Sequence, residues 1–282
     1  MVPMPGIRSL DRALDILEAF TPRNHELGIT ELSRLVRLPP PTVSRLVQTL
    51  LARGYLVQNP VTRKYRLGYK FFNFVGAIQG STSLFALAIP VLGGLRDALE
   101  ETVYLDVLDG EERVCVLSLP GLHPVQTLVP VGQRSPLYAG ADSRMLLSSL
   151  PDEKIASYLS RVELRKFASR TPATPEAIWE EVRWTREMGV AVSANEYHEG
   201  SACISAPVRD YTGRVVAALS VSFSVFRVSR ENVARYARAV ERAARELSCS
   251  LGYVPGEGPR GERWEEEVVK KMLGMVGESG KK

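Results

Sequence analysis

Three consecutive prolines, Pro39 to Pro41, constrain the fold of this sequence more than any other feature. Proline lacks a backbone N–H and its ring clashes with the preceding helical turn, so no helix continues through this point. Proline is favourable in the first turn of a new helix, because the N–H groups there have no helical partner. The prolines therefore predict a sharp corner between one helix that ends before Leu38 and another that begins near Pro41.

Helical spacing of apolar residues predicts three helices around this corner. The first runs from Ser9, as its cap, to Phe20, the second from Glu31 to Val36 with Thr30 as its cap, and the third from Pro41 to Arg53. Gly54 is placed to end the third helix in the left-handed conformation. The first helix would bury the residues that recur every three or four positions: Leu10, Ala13, Leu14 and Leu17.

The third predicted helix has one apolar face and one face of hydrogen-bonding side chains. A solvated helix face more commonly carries Glu and Lys pairs, but no acidic residue occurs from Thr42 to Tyr55. Short polar side chains and arginine are the types that reach base edges and phosphates in a major groove. The face therefore favours recognition of DNA by these residues: Thr42, Ser44, Arg45, Gln48 and Thr49.

A basic hairpin is predicted to follow. Residues 55–58 and 63–67 are typical of two strands, and residues 59–62 are typical of a turn. The second strand carries the cations Arg63, Lys64 and Arg66. Three helices and a basic hairpin form a winged helix-turn-helix, in which the wing contacts phosphates or a minor groove. The alternative is a small module whose basic residues only make it soluble.

The charge distribution supports the DNA-binding interpretation. Residues 1–68 carry ten Lys and Arg against five Asp and Glu, whereas residues 69–282 carry 26 against 27. A compact basic module joined to a larger, nearly neutral one indicates that the small part meets a polyanion. The length of 282 residues predicts two domains. We expect a cytoplasmic protein, because we find no secretory signal, no membrane-spanning stretch and no disulfide framework.

The remaining chain is predicted to form a linker helix, a second domain and a tail. Residues 69–82 are apolar and aromatic, which predicts a linker helix. Its exposed aromatic side chains favour a contact with a second copy over the alternative, a ligand site. Residues 83–253 mix helices with strands, including one at 126–131, and predict an α+β domain with helices around an antiparallel sheet. Glycine and proline interrupt residues 254–282, for which we expect a mobile tail without chemistry.

Three sets of segments resemble the DNA-binding domain of the IclR family of bacterial transcriptional regulators. They are Ser9–Glu18, then Leu38-Pro39 with Thr42–Leu46, and then Gly54-Tyr55 with Tyr65–Gly68. The resemblance extends through the second domain to Leu251–Tyr253. It implies a winged helix-turn-helix over 1–68, a linker helix over 69–82 and a GAF-like effector-binding domain over 83–253. It also implies a homodimer or homotetramer that reads a double-stranded operator under the control of a small-molecule effector.

The resemblance also implies an effector site. Family ligands contact positions matching Ala141, Cys203 and the alternating Ser220 and Ser222, and Glu196 matches the family's acidic residue. Strand alternation places both serines on one face, where they line a polar cavity or face water. The family's common effectors are small organic acids and aromatic catabolites.

Asp142 departs from the family pattern, because a small apolar residue is usual there. An aspartate would repel a carboxylate ligand unless Arg144, which stands in place of a usual lysine, neutralised it. We include Asp142 in the candidate effector-binding set: Ala141, Asp142, Glu196, Cys203, Ser220 and Ser222.

Two alternatives to an effector-controlled regulator remain open. One is a DNA-binding protein that responds to no ligand. The other is a thiol-dependent enzyme, or a metal site, built from Cys203 with His198 and Glu196. Cys203 lies in an apolar strand-like run, where an inert buried cysteine is the norm. We therefore expect no catalytic residue, no metal and no cofactor.

Overall fold

The computed structural model describes residues 7–21, 24–74, 83–254 and 262–277. The chain divides into two compact units, an N-terminal unit over residues 1–82 and a C-terminal unit over residues 83–282. No helix among the described residues is long and apolar enough to cross a membrane.

The described part of the N-terminal unit contains three helices and a two-stranded hairpin, followed by a helical turn at residues 71–74. The helices are α1 (Arg8–Glu18), α2 (Ile29–Leu35) and α3 (Pro40–Ala52), and the strands are β1 (Leu56–Gln58) and β2 (Tyr65–Leu67). The helix α3 begins at the second proline of the run, as predicted, and Gly54 follows it with a φ of 76°. The core is formed by these residues: Ile16, Phe20, Leu27, Leu32, Val43, Val47, Leu50, Leu56 and Tyr65.

Three details of the helical predictions are wrong. Ile7 rather than Ser9 precedes α1, and Gly28 rather than Thr30 precedes α2, where the Gly28 N–H donates to the Glu31 carboxylate at 2.6 Å. The predicted buried stripe of α1 is wrong for Leu10 and Leu14, which are 55% and 46% exposed, whereas Leu17 packs against the core as predicted. The helix faces the core with Ile16 instead, and Phe20 packs beside it just past the helix end.

The predicted linker helix is described only in part. Residues 71–74 are helical. Residues 75–82 lie outside the described residues, so the rest of the predicted linker helix stays a prediction.

The C-terminal unit is built on a six-stranded antiparallel sheet with the strand order β5-β4-β3-β8-β7-β6. Helices α4, α8 and α9 share a hydrophobic cluster with one face of this sheet, and α5, α6 and α7 share a second cluster with the other face. The strands are β3 (Thr102–Asp109), β4 (Glu112–Leu119), β5 (Arg134–Pro136), β6 (Ala191–Ala194), β7 (Ser201–Arg209) and β8 (Val215–Ser224). The helices are α4 (Ser83–Leu99), α5 (Ala141–Ser148), α6 (Asp152–Leu159), α7 (Pro175–Met188), α8 (Arg230–Ser250) and α9 (Glu262–Val276).

Because side chains alternate along a strand, the two faces of one sheet contribute to two hydrophobic clusters. Val103 and Leu105 on β3 join the cluster with α4 and α8, whereas Tyr104 between them joins the cluster with α5. Cys203 on β7 faces the same side as Tyr104. This second side of the sheet therefore carries the polar groups described below.

Two predictions for the second domain are wrong. Residues 126–131 form no strand, because Pro130 lacks an N–H and the Thr127 carbonyl accepts from the Thr102 hydroxyl at 2.7 Å instead of joining a ladder. The edge strand is β5, a few residues later. Residues 262–277 of the predicted mobile tail form α9, which packs against α8 and β6.

The helix α9 packs because its apolar residues recur at helical spacing. Val268, Val269, Met272 and Met275 are buried in the cluster shared with α8. The Trp264 indole N–H donates to the Met188 carbonyl at 2.8 Å and fixes the first turn of α9 against the end of α7. Glycine and proline in the preceding segment led the sequence analysis to expect no packed structure here.

Candidate DNA-binding face and ligand cavity

The helix α3 presents its polar face to solvent. Val43 and Val47 are buried, which turns Arg45, Gln48 and Thr49 outward. Thr42 and Ser44 are partly exposed on the same helix. The Thr49 hydroxyl donates to the Arg45 carbonyl at 3.1 Å. Within the described part of the chain the guanidinium of Arg45 has no hydrogen bond or ion pair, so its donors are available to a partner.

The wing, which we define as residues 56–67, carries cations that differ in exposure and in their ion pairs. The Asn59 side chain accepts from the Val61 and Thr62 N–H groups at 2.9 and 3.3 Å and shapes the turn. Only Arg66 of the three predicted cations lies on β2, because the strand begins at Tyr65 and not at Arg63 as predicted. Arg66 is exposed and lies 5.5 Å from the ring centroid of a neighbouring tyrosine.

Lys64 differs from the other two wing cations. Its ammonium lies 2.8 Å from a Glu31 carboxylate oxygen, which links the wing to α2. Arg63 is exposed and has no ion pair among the described residues. Two of the three predicted wing cations therefore point to solvent without an acidic partner, and the third is already paired.

The C-terminal unit contains a cavity between the sheet, the start of α5 and the residues that follow β6. It encloses about 410 Å³ of space between atoms, part of it open to solvent. Gly140, with a φ of 99°, allows the sharp entry into α5 that brings Asp142 to the wall. We call this space the Arg113–Asp142 cavity. Its wall is formed by Tyr104, Arg113, Thr127, Val129, Gln133, Gly140, Asp142, Ser193, Glu196, Tyr197, His198, Ser201, Cys203 and Ser222.

Arg113 is the central charged group of this wall. Its guanidinium lies 2.8 Å from an Asp142 oxygen and 3.3 Å from an Asp106 oxygen, and all three side chains are buried. The Tyr104 hydroxyl lies 3.3 Å from Asp142 and 3.1 Å from the Cys203 sulfur. Burial raises the pKa of Asp106 well above its usual value, despite the opposing charge of Arg113.

Arg144 occupies a second buried position and forms no ion pair with Asp142, so the direct neutralisation that the sequence left open does not occur. Its guanidinium lies 2.6 Å from Glu196 and 3.6 Å from Glu181, and it donates to the Val192 carbonyl. The Gly140 N–H also donates to Glu196, at 3.2 Å. Arg144 therefore fixes Glu196 in the wall, whereas Asp142 receives its positive charge from Arg113.

Four of the six candidate effector residues line the cavity: Asp142, Glu196, Cys203 and Ser222. The other two are buried outside the wall. Ala141 donates its N–H to the Ser193 hydroxyl at 3.0 Å, and Ser220 donates to Ser205 at 2.9 Å. The structure thus separates the two serines that strand alternation paired, because only Ser222 reaches the cavity.

The chemistry of Cys203 argues against a nucleophile. Burial and the nearby Asp142 raise the pKa of its thiol well above the usual value, so the sulfur stays protonated. Burial lowers the pKa of His198. Among the described residues no group of three or more His, Cys, Asp or Glu side chains is arranged to hold a metal ion.

Arg113, Tyr104 and Gln133 line the cavity but were not predicted as effector-binding residues. The signal that could have found Arg113 is the pair of charged residues, Asp106 and Arg113, in two otherwise apolar strands of one hairpin. Buried charges in apolar strands are rare unless they pair. The contact of Arg113 with Asp142 has no such local signal, because it links the hairpin to a helix.

A winged helix-turn-helix with a polar α3 face, joined to a domain with a polar cavity, defines a class: DNA-binding regulators with a separate ligand-binding domain. Residues 9–60 match the family described as IclR helix-turn-helix domain, and residues 77–249 match Bacterial transcriptional regulator IclR C-terminal. The HTH-type transcriptional regulator XynR of Escherichia coli (strain K12) is 34% identical over 250 residues, which cover 89% of this chain and 99% of the relative.

Solved structures agree with this match. The transcriptional regulator RHA06195 from Rhodococcus sp. RHA1 superposes with a TM-score of 0.78 at 26% identity, covering 87% of this chain and 98% of the other. An IclR homolog complexed with 4-hydroxybenzoate from Microbacterium hydrocarbonoxydans gives a TM-score of 0.76 at 25% identity, covering 86% and 98%. The chain belongs to the IclR family of bacterial transcriptional regulators, which couple a DNA-binding domain to an effector-binding domain.

Proposed function

We propose that this regulator recognises its operator through α3 and the wing, and that a small molecule in the Arg113–Asp142 cavity controls its affinity for DNA. The observation that carries the DNA-binding part is the solvent-facing guanidinium of Arg45 on a helix face that lacks acidic residues. An arginine with free donors can bind guanine in a bidentate way. The helix would enter the major groove with this set: Thr42, Ser44, Arg45, Gln48 and Thr49.

The wing would hold the helix in register by contacts with phosphates. Arg63 and Arg66 are exposed and carry this role. Lys64 contributes less directly, because its ammonium is bound to Glu31. Phosphate contacts fix position and bring salt dependence, whereas base contacts from α3 supply the sequence preference.

A second copy of the chain would pair through the N-terminal unit. Ile7, Leu10 and Leu14 are 69%, 55% and 46% exposed on or beside α1, although all three are apolar. A twofold dimer would bury this strip and present two copies of α3 to the two half-sites of a near-palindromic operator. We place the DNA-binding domain at 1–68, the linker at 69–82 and the effector domain at 83–253, in a protein that acts in the cytoplasm.

The cavity would receive the effector. Asp142, Glu196, Cys203 and Ser222 line it, together with the newly found Arg113. A bound ligand can change operator affinity only by as much as its own affinity differs between the DNA-binding and the released states. Ala141 and Ser220 would not contact the ligand, but their hydrogen bonds with Ser193 and Ser205 would hold the residues that surround the cavity in place.

The proposal is tested by operator selection followed by a ligand screen. Duplexes selected from a random library by the full-length protein should share a near-palindromic sequence. Uncharged, cationic and anionic metabolites are then screened by thermal shift and by release from the selected duplex. Failure to select any sequence would overturn the DNA-binding proposal. Selection without any stabilising metabolite would instead favour a ligand-independent DNA-binding protein.

A further inference from the structure

The charged groups around the Arg113–Asp142 cavity restrict the charge of its ligand, an inference that rests on the proposed effector function. Both buried guanidinium groups near the cavity face two carboxylates each. Arg113 faces Asp142 at 2.8 Å and Asp106 at 3.3 Å. Arg144 faces Glu196 and Glu181. Every positive charge supplied by these two arginines is therefore already matched or exceeded by acidic side chains.

No further cation serves the cavity wall among the described residues. Arg113 and His198 are the basic side chains that line it, and burial lowers the pKa of His198, so its imidazole is neutral at neutral pH. Lys271 on α9 pairs with Glu181 at 2.6 Å, lies over the Trp184 ring and is not one of the residues that line the cavity. Counting Lys271, three positive groups face four carboxyl groups, and burial raises the pKa of two of these, Asp106 and Glu196. Each of the three cations is already bound to at least one carboxyl group.

A carboxylate ligand would find no unpaired cation among the described residues of this wall. A buried anion needs a paired cation to offset the loss of its hydration. Arg113 could pair with a ligand carboxylate only by giving up its 2.8 Å contact with Asp142, which would then lie buried without its cation. The wall therefore opposes an anion even though it contains an arginine.

The uncharged polar groups of the wall fit a different ligand. Thr127, Ser193, Ser201 and Ser222 contribute hydroxyls, and Gln133 contributes an amide. Hydroxyls accept as well as donate, and Asp142 accepts only. We infer that the effector is a small neutral or cationic molecule with hydroxyl, amide or amine groups, and that the cavity discriminates against carboxylates. The solved relative that binds 4-hydroxybenzoate holds an anion, so this chain would differ from it in ligand charge.

Matched probes that differ only in charge test the inference. We use 4-hydroxybenzoate, 4-hydroxybenzamide and 4-hydroxybenzylamine, with glycolate, glycolamide and ethanolamine as a smaller set; acid and amide have nearly the same shape, and the amine replaces the carbonyl group by a methylene. Binding of each to the full-length protein is measured by calorimetric titration. In the wild type the amide or the amine should bind at least about tenfold more tightly than the acid of the same set, a difference that one unpaired charge readily supplies.

Asp142→Asn should change this preference. The variant removes one carboxylate and leaves Arg113 able to pair with a ligand anion, so the ratio between amide and acid should fall at least about tenfold. Asp142→Ala serves the same purpose if the asparagine variant fails to fold. Asp152→Asn is the matched control, because Asp152 is exposed, pairs with Arg186 and does not line the cavity, and it should leave the ratio unchanged.

The outcomes separate this inference from the function on which it rests. Tighter binding of the acid by the wild type, or an unchanged ratio in both Asp142 variants, overturns the charge inference and leaves the effector site intact. Absence of binding by every probe, to the wild type and to the variants, contradicts the proposed effector cavity itself and the charge inference with it.

Discussion

The two candidate functional regions use charge in opposite ways. On the DNA-binding face, Arg45, Arg63 and Arg66 are exposed and unpaired among the described residues. In the C-terminal unit, Arg113 and Arg144 are buried and each faces two carboxylates. When exposed cations bind phosphates, the counterions condensed on the DNA are released. The cations are not part of the protein core, so their replacement should change its stability little. Buried pairs give a selective cavity, but the stability of the domain depends on them.

The largest expected effect comes from breaking a buried pair. Arg144→Met leaves Glu196 and Glu181 without their guanidinium partner inside the domain. The free energy of unfolding should fall by about 3–5 kcal/mol, the cost typical of an orphaned buried charge. Urea unfolding followed by circular dichroism measures it. Arg161→Met is the control, because the Arg161–Glu111 pair is exposed and should contribute nothing measurable. Equal stability of the two variants would contradict the comparison.

The second prediction concerns apolar burial in the segment that the sequence analysis expected to be mobile. Met272 on α9 is fully buried, so Met272→Ala should lower the free energy of unfolding by about 2–5 kcal/mol. Glu266→Ala on the exposed side of α9 should leave it unchanged. A Met272 variant as stable as the wild type would show that α9 does not contribute to the core.

The third prediction concerns the DNA-binding face, where a substitution should change the affinity for DNA but not the free energy of unfolding. Arg45→Ala should weaken binding to the selected operator by about 1–3 kcal/mol and relax the preference at one base position. Fluorescence anisotropy gives the affinity and unfolding gives the control for stability. Arg161→Ala, an exposed arginine of the other unit, should bind the operator as the wild type does. Full affinity in the Arg45 variant would mean that α3 is not the reading helix.

The sequence predicted those features of the fold that depend on residues close together in the chain. The proline run and the left-handed Gly54 act within a few residues of the chain, and both were confirmed. The family resemblance identified the DNA-binding and effector-binding classes. Local rules could not show that Arg113 pairs with Asp142, because this contact depends on the packing of α5 against a distant hairpin.

The packing of α1 and α9 shows the same limit. Both helices carry apolar residues at helical spacing, yet Leu14 is exposed and Met272 is buried. Periodicity identifies an apolar face without saying what covers it. In α9 the partner is α8, and for Leu14 we propose a second copy of the chain.

The smallest expected effects distinguish the wing cations from one another. Arg66→Ala should reduce the slope of log affinity against log salt concentration by about one, because one phosphate contact is lost. Lys64→Ala should reduce it less, because the Lys64 ammonium is bound to Glu31 at 2.8 Å in the free protein. Anisotropy titrations across a range of salt concentrations give both slopes. A larger change for Lys64 than for Arg66 would mean that Lys64 leaves Glu31 when DNA binds.

The most direct test of the central claim, that exposed cations of the N-terminal unit recognise DNA, is a competition between two duplexes of equal length. The full-length protein is titrated against a selected operator and against a random sequence at physiological salt. We predict that the operator binds at least about a thousandfold more tightly and that the logarithm of each binding constant falls linearly with the logarithm of the salt concentration. Equal affinity for the two duplexes, or binding that does not respond to salt, would contradict the account.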